Sequence, residues 1–343
     1  MPNETIIAIL QGILQHKVIT SEEKALLAQD PATNPASLSP GNENALAVQL
    51  KWFPVAYTTI SDYCNEIGLS QTETLQDLWQ IWLPLALNIA DKKAQRQSAL
   101  IQGILGLQGT GKTTLSTILR LLLTQFGYHT VTLSIDDLYK TYADRQQLQN
   151  DDPRLIWRGP PGTHDVEVGI SVLDQIQAGQ TPISIPRFDK SAVQGMGDHA
   201  TPEIITDQID ILLFEGWFVG VKPIPERALQ SPPPPLTTEA DRQFAIDNNR
   251  RLAAYLPLWK RLDGLIILSP VDYRFSQQWR KQAEQKMIAQ GRSGMSEAEI
   301  NQFVEYFWRS LHPDLFMTPL IECKEGVDFV IQLDANHRPI RID

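Results

Sequence analysis

The residues with the clearest chemistry form one short run, Gly106-Leu107-Gln108-Gly109-Thr110-Gly111-Lys112-Thr113. Two glycines separated by four residues and followed by Lys and a hydroxyl residue make a phosphate loop. Glycines let the backbone curl so that its N–H groups point at phosphate oxygens. A helix starting at the loop adds positive potential. Lys112 supplies a point charge for the β- and γ-phosphates, and the Thr113 hydroxyl a ligand for Mg²⁺. Gly106, Gln108, Gly109, Thr110, Gly111, Lys112, Thr113 and Thr114 are therefore the expected nucleotide-binding residues, with ATP and Mg²⁺ as the expected ligands. A chance match somewhere in a chain this long would occur about 1% of the time. An apolar run before the loop and a helical run after it, Thr114 to Phe126, lower that figure further.

Carboxylates come next. The apolar run Thr130 to Ile135 ends in Asp136-Asp137, and Ile209 to Phe214 ends in Glu215. Ligands of open α/β sheets bind outside the carboxyl ends of the strands, so both sets should reach the phosphate loop. Phosphoryl transfer to a hydroxyl needs a base and carboxylates near the metal. Asp136 is expected to be the base, with Thr113, Asp136 and Glu215 as the oxygens around Mg²⁺. Asp137 has two readings, a substrate contact or the N-cap of a helix from Leu138.

These residues need a scaffold, and the pattern supplies one. Short apolar runs at 99–105, 130–135, 209–214, 264–268 and 329–333 alternate with helical stretches. That pattern predicts a doubly wound, mainly parallel α/β sheet with a P-loop kinase core over residues 96–343. Residues 1–95 read as an all-helical N-terminal region serving as a cap or association surface. Its signs are Ile6, Ile9, Leu10, Ile13 and Leu14 at helical spacing, a capping box from Thr20 to Glu23, and helices near 58–66 and 72–91. Pro31 to Asn44 reads as a loop, and Ser231 to Pro235 as an exposed one.

Composition sets the outer bounds. Thirty Lys and Arg against 40 Asp and Glu give a net charge of -10. An acidic surface disfavours nucleic acid and requires a local cluster of cations for any small anion. Two distant cysteines form no disulfide framework, which suits a reducing cytoplasm. No apolar stretch reaches the length of a membrane span, and the first residues lack the pattern of a secretory signal. The sequence does not fix an oligomeric state.

With the phosphate loop, Ser134-Ile135-Asp136-Asp137-Leu138-Tyr139 and Leu213-Phe214-Glu215-Gly216-Trp217, the chain resembles the kinase branch that contains phosphoribulokinase, uridine kinase and pantothenate kinase. Four further segments, Arg158 to Asp165, Pro186 to Ser191, Trp279 to Glu284 and Gly294 to Glu297, are similar to D-glycerate 3-kinases of the plant and cyanobacterial type. The resemblance covers roughly residues 98–343. It implies ATP-dependent phosphorylation of D-glycerate to 3-phosphoglycerate, a salvage step of photorespiration, here in a bacterial cytoplasm. One departure is Gly197-Asp198-His199, where the family carries Gly-Asp-Arg.

A hydroxy-acid substrate needs cations, and Arg158, Arg187 and Lys190 are the candidates. His164 and Asp165 are candidates for its hydroxyls, although Asp165 also suits the N-cap of a helix from Val166. The charged stretch 272–292, with Arg274, Arg280, Lys281, Lys286 and Arg292, resembles the branch's lid. Arg274 and Arg280 are the expected phosphate contacts, and Arg280 counts as catalytic with Lys112 and Asp136. Trp217 and Trp279 read as packing residues, and the turn 334–338 as a border of the adenine site. Two alternatives remain on sequence grounds: a kinase for a nucleoside or pantothenate-like alcohol, and a nucleotide-dependent regulatory protein.

Overall fold

The computed structural model describes residues 4–29, 45–289 and 294–342. The expected loop from Pro31 to Asn44, the Lys286 side chain and Arg292 lie outside the described residues. The central sheet has six strands, and all five apolar runs are in it. They are β1 (Leu100–Gly106), β2 (Thr130–Ser134), β7 (Ile211–Gly216), β8 (Gly264–Pro270) and β9 (Val327–Leu333). Adding β10 (Pro339–Ile342), the order is β10-β9-β8-β1-β7-β2. Only β10 runs antiparallel, against β9. Between β2 and β7 the chain makes two small antiparallel ribbons. One pairs β3 (Ile183–Ile185) with β6 (Glu203–Ile205); the other pairs β4 (Phe188–Asp189) with β5 (Asp198–His199).

Alternate residues of each central strand enter different cores, because successive side chains of a strand point to opposite faces. Ile101, Leu105, Leu212, Phe214, Leu265 and Ile267 join one cluster. Leu100, Ile104, Ile211, Leu213, Ile266 and Leu268 join the other. The first cluster is closed by α8 (Val166–Gln177), α9 (Glu239–Arg251) and α12 (Glu297–Ser310). The second is closed by α6 (Lys112–Gln125) and by the N-terminal helices.

Those N-terminal helices are α1 (Glu4–Leu14), α2 (Ser21–Gln29), α3 (Ala45–Glu66), α4 (Gln71–Asp77) and α5 (Leu83–Ala94), with a π-helical turn at Leu78–Trp82. The Thr20 box forms, with the Glu23 N–H donating to Thr20 Oγ1 at 3.2 Å and the Thr20 N–H to Glu23 Oε2 at 2.7 Å. Helix α3 begins thirteen residues earlier than its sequence suggests and runs through Pro54. Proline removes one helical hydrogen bond, but Phe53, Ala56, Ile60 and Cys64 are fully buried along one face and hold the turn in place. Phe53 meets Trp79 edge-on at 5.3 Å. The N-terminal helices and the sheet thus share a single apolar core rather than two.

The proline run is less free than expected. The Pro234 carbonyl accepts from the Tyr273 hydroxyl at 3.3 Å and lies 3.0 Å from His312 Nε2, which ties the run to the start of the expected lid and to the turn after α12. No helix among the described residues is long and apolar enough to cross a membrane.

Because Trp79 is fully buried where the helical layer meets the sheet, Trp79→Ala should cost about 3–5 kcal/mol. A lower urea midpoint would record it, with ATP affinity of the folded fraction unchanged.

Candidate active site

The loop from β1 to α6 has the geometry of an anion cradle. Gly109 and Gly111 have φ of +80° and +89°, conformations that side chains resist. A Cβ on Gly109 would lie 2.7 Å from Trp279 Cβ, and one on Gly106 2.5 Å from Thr110 Oγ1. The Thr110 hydroxyl and Lys112 Nζ donate to the Leu107 carbonyl at 2.8 and 2.9 Å. Gln108 Oε1 is buried and has no partner among the described residues.

The strand tips converge on this loop. Thr113 Oγ1 donates to Glu215 Oε1 at 3.3 Å. Lys190 Nζ meets Asp136 Oδ2 at 2.6 Å. Lys112 feels both Glu215 and Asp136. Burial pushes the Lys112 ammonium below its ordinary pKa, and the two carboxylates oppose that push. Burial raises the Glu215 carboxyl, with Lys112 opposing and Asp136 adding to the rise. Burial also acts to raise Asp136, but the Lys190 ammonium outweighs it, helped by the Tyr139 hydroxyl, and holds Asp136 below the usual carboxylate range. Lys112, Thr113, Asp136, Lys190 and Glu215 therefore form one cluster of alternating charge.

Aromatic rings wall this cluster. Tyr139, nearly buried, stacks on His164 at 4.6 Å. His164 Nδ1 lies 2.8 Å from the Tyr255 hydroxyl, whose oxygen already accepts from the Gly162 N–H. The tyrosine hydrogen is thus directed at Nδ1, and the proton of the neutral ring belongs on Nε2. Nε2 is buried with no partner among the described residues. Burial lowers the His164 pKa to about 3, so the ring stays neutral.

Three expected substrate residues have other duties. Arg187 donates to Glu203, Asp137 and the Thr132 carbonyl, which occupies its guanidinium. Asp137 accepts from Arg187 and from the Ser134 and Phe188 N–H groups. It is not the N-cap of a helix; it is the third residue of a short 3₁₀ turn, Ile135–Leu138, capped by Ser134. Asp165 caps α8 by accepting from the Val168 N–H at 3.1 Å. Arg187 and Asp137 brace the turn that aims Asp136, and neither is free to grip a ligand. Arg158 is different. Its Nη1 donates to the Gly195 and Met196 carbonyls at 2.9 Å, and no other acceptor meets it among the described residues.

The expected lid segment forms α11 (Phe275–Ala289). Its first turns lie against the phosphate loop, since the Arg280 backbone nitrogen is 3.6 Å from the Cβ position of Gly109. Arg280 pairs with Glu284 at 2.7 Å, and its Nε is buried without a partner among the described residues. Arg274 pairs with Asp272 at the exposed start of the helix. Trp279 is buried, stacks on His337 at 4.2 Å and donates to the Ala335 carbonyl at 2.8 Å. His337 Nε2 lies 2.7 Å from the Gly109 carbonyl, so the turn at 334–338 touches the phosphate loop itself.

Several contributors escaped the sequence. Tyr139 ends the segment from Ser134 without signalling a role. Arg145 holds the base of the β4–β5 hairpin through the Met196 and Gly197 carbonyls, and nothing in its helical surroundings announces this. His199 lies 2.7 Å from the Tyr139 carbonyl through Nε2.

With this geometry in view, the relatives fall into place. The chloroplastic D-glycerate 3-kinase of Arabidopsis thaliana is 29% identical over 303 residues, which are 80% of this chain and 63% of that protein. The chain therefore spans less than two thirds of the plant protein's length. An uncharacterized kinase of Schizosaccharomyces pombe is 33% identical over 224 residues, 60% of this chain and 78% of that one. The chain belongs to this family of P-loop kinases. A solved D-glycerate 3-kinase from Cryptococcus neoformans shares the kinase fold, with a TM-score of 0.66 at 24% identity over 77% of this chain and 98% of its own. No protein-family model matches the chain.

The loop suits nucleotide phosphates, because Gly109 and Gly111 hold the positive φ that turns its N–H groups inward, and a Cβ on Gly106 or Gly109 would collide with Thr110 or Trp279 and distort it. Among the described residues no group of three His, Cys, Asp or Glu is placed to hold a metal alone. The Thr113–Glu215 pair instead suits Mg²⁺, a cation that takes few protein ligands and fills its shell with phosphate oxygens and water.

Two substitutions test the cradle. Lys112→Ala should lower turnover at least about 10²-fold through the lost charge. Gly109→Ala should weaken ATP binding, because its Cβ must displace Trp279; an ADP-release assay would read the first and titration calorimetry with a non-hydrolysable analogue the second.

Proposed function

We infer that the protein is an ATP-dependent kinase that transfers the γ-phosphoryl group to a hydroxyl of D-glycerate, giving 3-phosphoglycerate. The observation that carries this reading is the meeting of Lys112, Asp136, Lys190 and Glu215 beside the phosphate loop. The name of the plant relative supplies the acceptor. Two cations outside the nucleotide cradle, Arg158 and Lys190, suit a carboxylate rather than a neutral alcohol.

Each residue then has a task. The glycine loop and Lys112 bind the triphosphate and hold its end in line with the acceptor. Thr113 and Glu215 would hold Mg²⁺, which when bound draws the phosphate oxygens together and offsets their charge. Arg158 and Lys190 receive the carboxylate of the acid. His164, neutral and with its Nε2 proton unclaimed, donates to a substrate oxygen. Asp136 takes the proton of the attacking hydroxyl. Helix α11 brings Arg280 beside the loop, where breaking its pair with Glu284 would deliver it to the transferring group.

Phosphorus NMR of a reaction with ATP and D-glycerate should give one new phosphomonoester signal at the 3-position. Turnover of uridine or pantothenate with none of glycerate would replace this reading. Asp136→Asn should keep ATP affinity within about twofold and lower kcat by about 10²–10⁴-fold; near-normal turnover would remove Asp136 as the base.

A further inference from the structure

In this structure the proposed base is already occupied. Lys190 Nζ sits 2.6 Å from Asp136 Oδ2, and a carboxylate in such a pair is a poor proton acceptor. Lys190 lies on the arm formed by β4, β5 and the residues between them, which is fastened before Lys190 by the Phe188 N–H donating to Asp137 at 3.2 Å and after it by the contacts that follow. Arg145 donates to the Met196 and Gly197 carbonyls, and Arg158 to those of Gly195 and Met196. Asp198 accepts from the Tyr142 N–H at 3.0 Å. Between these anchors Ser191 donates to Asp189 through its N–H and its hydroxyl, and Lys190 reaches across to Asp136. The Lys190 side chain is 63% exposed, so it reaches Asp136 from the solvent side and has room to turn away.

A second cation stands beside it. Arg158 is near enough to oppose the charge on Lys190; its guanidinium lies over the Phe188 and Tyr139 rings, and among the described residues only its Nη1 donates a hydrogen bond. An incoming carboxylate thus finds two adjacent cations, one of them bound to an internal carboxylate of the same chemistry. A neutral alcohol finds the same pair and has nothing to exchange for Asp136.

The geometry points to a base unmasked by its own substrate: Lys190 holds Asp136 in an ion pair until the carboxylate of an acidic acceptor takes the ammonium over. This rests on the kinase reading above and deepens it by making Lys190 the source of selectivity for acids. Once Asp136 is released, the acceptor oxygen bonds to the γ-phosphorus. The bond from that phosphorus to the β,γ-bridging oxygen breaks, its electron pair leaves with ADP, and the hydroxyl proton passes to Asp136. Water and neutral alcohols leave the pair closed, which also restrains wasteful hydrolysis of ATP.

The full-length protein and Lys190→Met, Lys190→Arg and Lys190→Met/Asp136→Asn variants would be compared by ADP release with D-glycerate, with glycerol and with no acceptor. Lys190→Met should lose at least about 10²-fold in kcat/KM for glycerate. The same variant should gain several-fold over wild type with glycerol and in acceptor-free hydrolysis. The gain should vanish when Asp136→Asn is added, and Lys190→Arg should stay near wild type in its preference for the acid. A fall in all three rates for Lys190→Met, or a gain that survives Asp136→Asn, would overturn the proposal and leave Lys190 as a binding residue alone. Wild-type protein that turns over no glycerate would instead sink the functional reading itself, so the two failures are distinct.

Discussion

Two carboxylates at the tips of buried parallel strands each stand beside an ammonium group: at Asp136 the charge of Lys190 outweighs burial, and at Glu215 Lys112 opposes it. Asp136 and Glu215 lie where the sheet ends and the dielectric is low, and an unpaired charge there is costly. Lys112 comes from the phosphate loop and Lys190 from the β4–β5 arm, so the pairing joins two segments almost eighty residues apart. Much of the surrounding structure serves that meeting. Arg187 and Asp137 brace the turn that carries Asp136. Arg145 and Arg158 hold the arm that carries Lys190. Positive side chains that look like ligand contacts are thus partly internal fasteners, and this division decides which cations a substrate can use.

The scaffold follows from how the sheet is covered. Strands apolar on both faces need a layer on each side. One layer comes from helices after β2, and the other from α6 together with the N-terminal helices. Leu115, Ile118, Leu119, Leu122 and Leu123 of α6 are buried in the same cluster as Phe53 and Trp79. The helix that starts at Lys112 is therefore gripped along its length by the N-terminal layer, which fixes the direction in which its first N–H groups point.

Much of this was legible in the residues. Five apolar runs gave the five parallel strands within about two residues, because short β-rich runs bounded by turns have few other uses. The phosphate loop was legible because its glycines answer a local backbone demand. The length of α3 was not, since Pro54 reads as a boundary until Phe53, Ala56 and Ile60 are seen packed through it. The tasks of Arg187 and Asp137 were hidden for a related reason, whereas the capping of α8 by Asp165 was one of its two sequence readings. A guanidinium or carboxylate on a loop carries the same sequence signal whether it waits for a ligand or for a partner fifty residues away. Arg158 and Lys190 sit in the same kind of segment as Arg187, and only the contacts separate them.

The contact between His337 and the Gly109 carbonyl joins the end of the chain to the centre of the phosphate loop. Trp279, stacked on the same imidazole, brings α11 into that joint. Three segments distant in sequence therefore share one small patch of backbone. Anything that stiffens Gly109 must also steady the final hairpin and the first turns of α11, and by reciprocity order in those pieces feeds back on the loop. Filling the cradle would then be felt as tension at the carboxyl-terminal edge of the sheet, without any direct touch there.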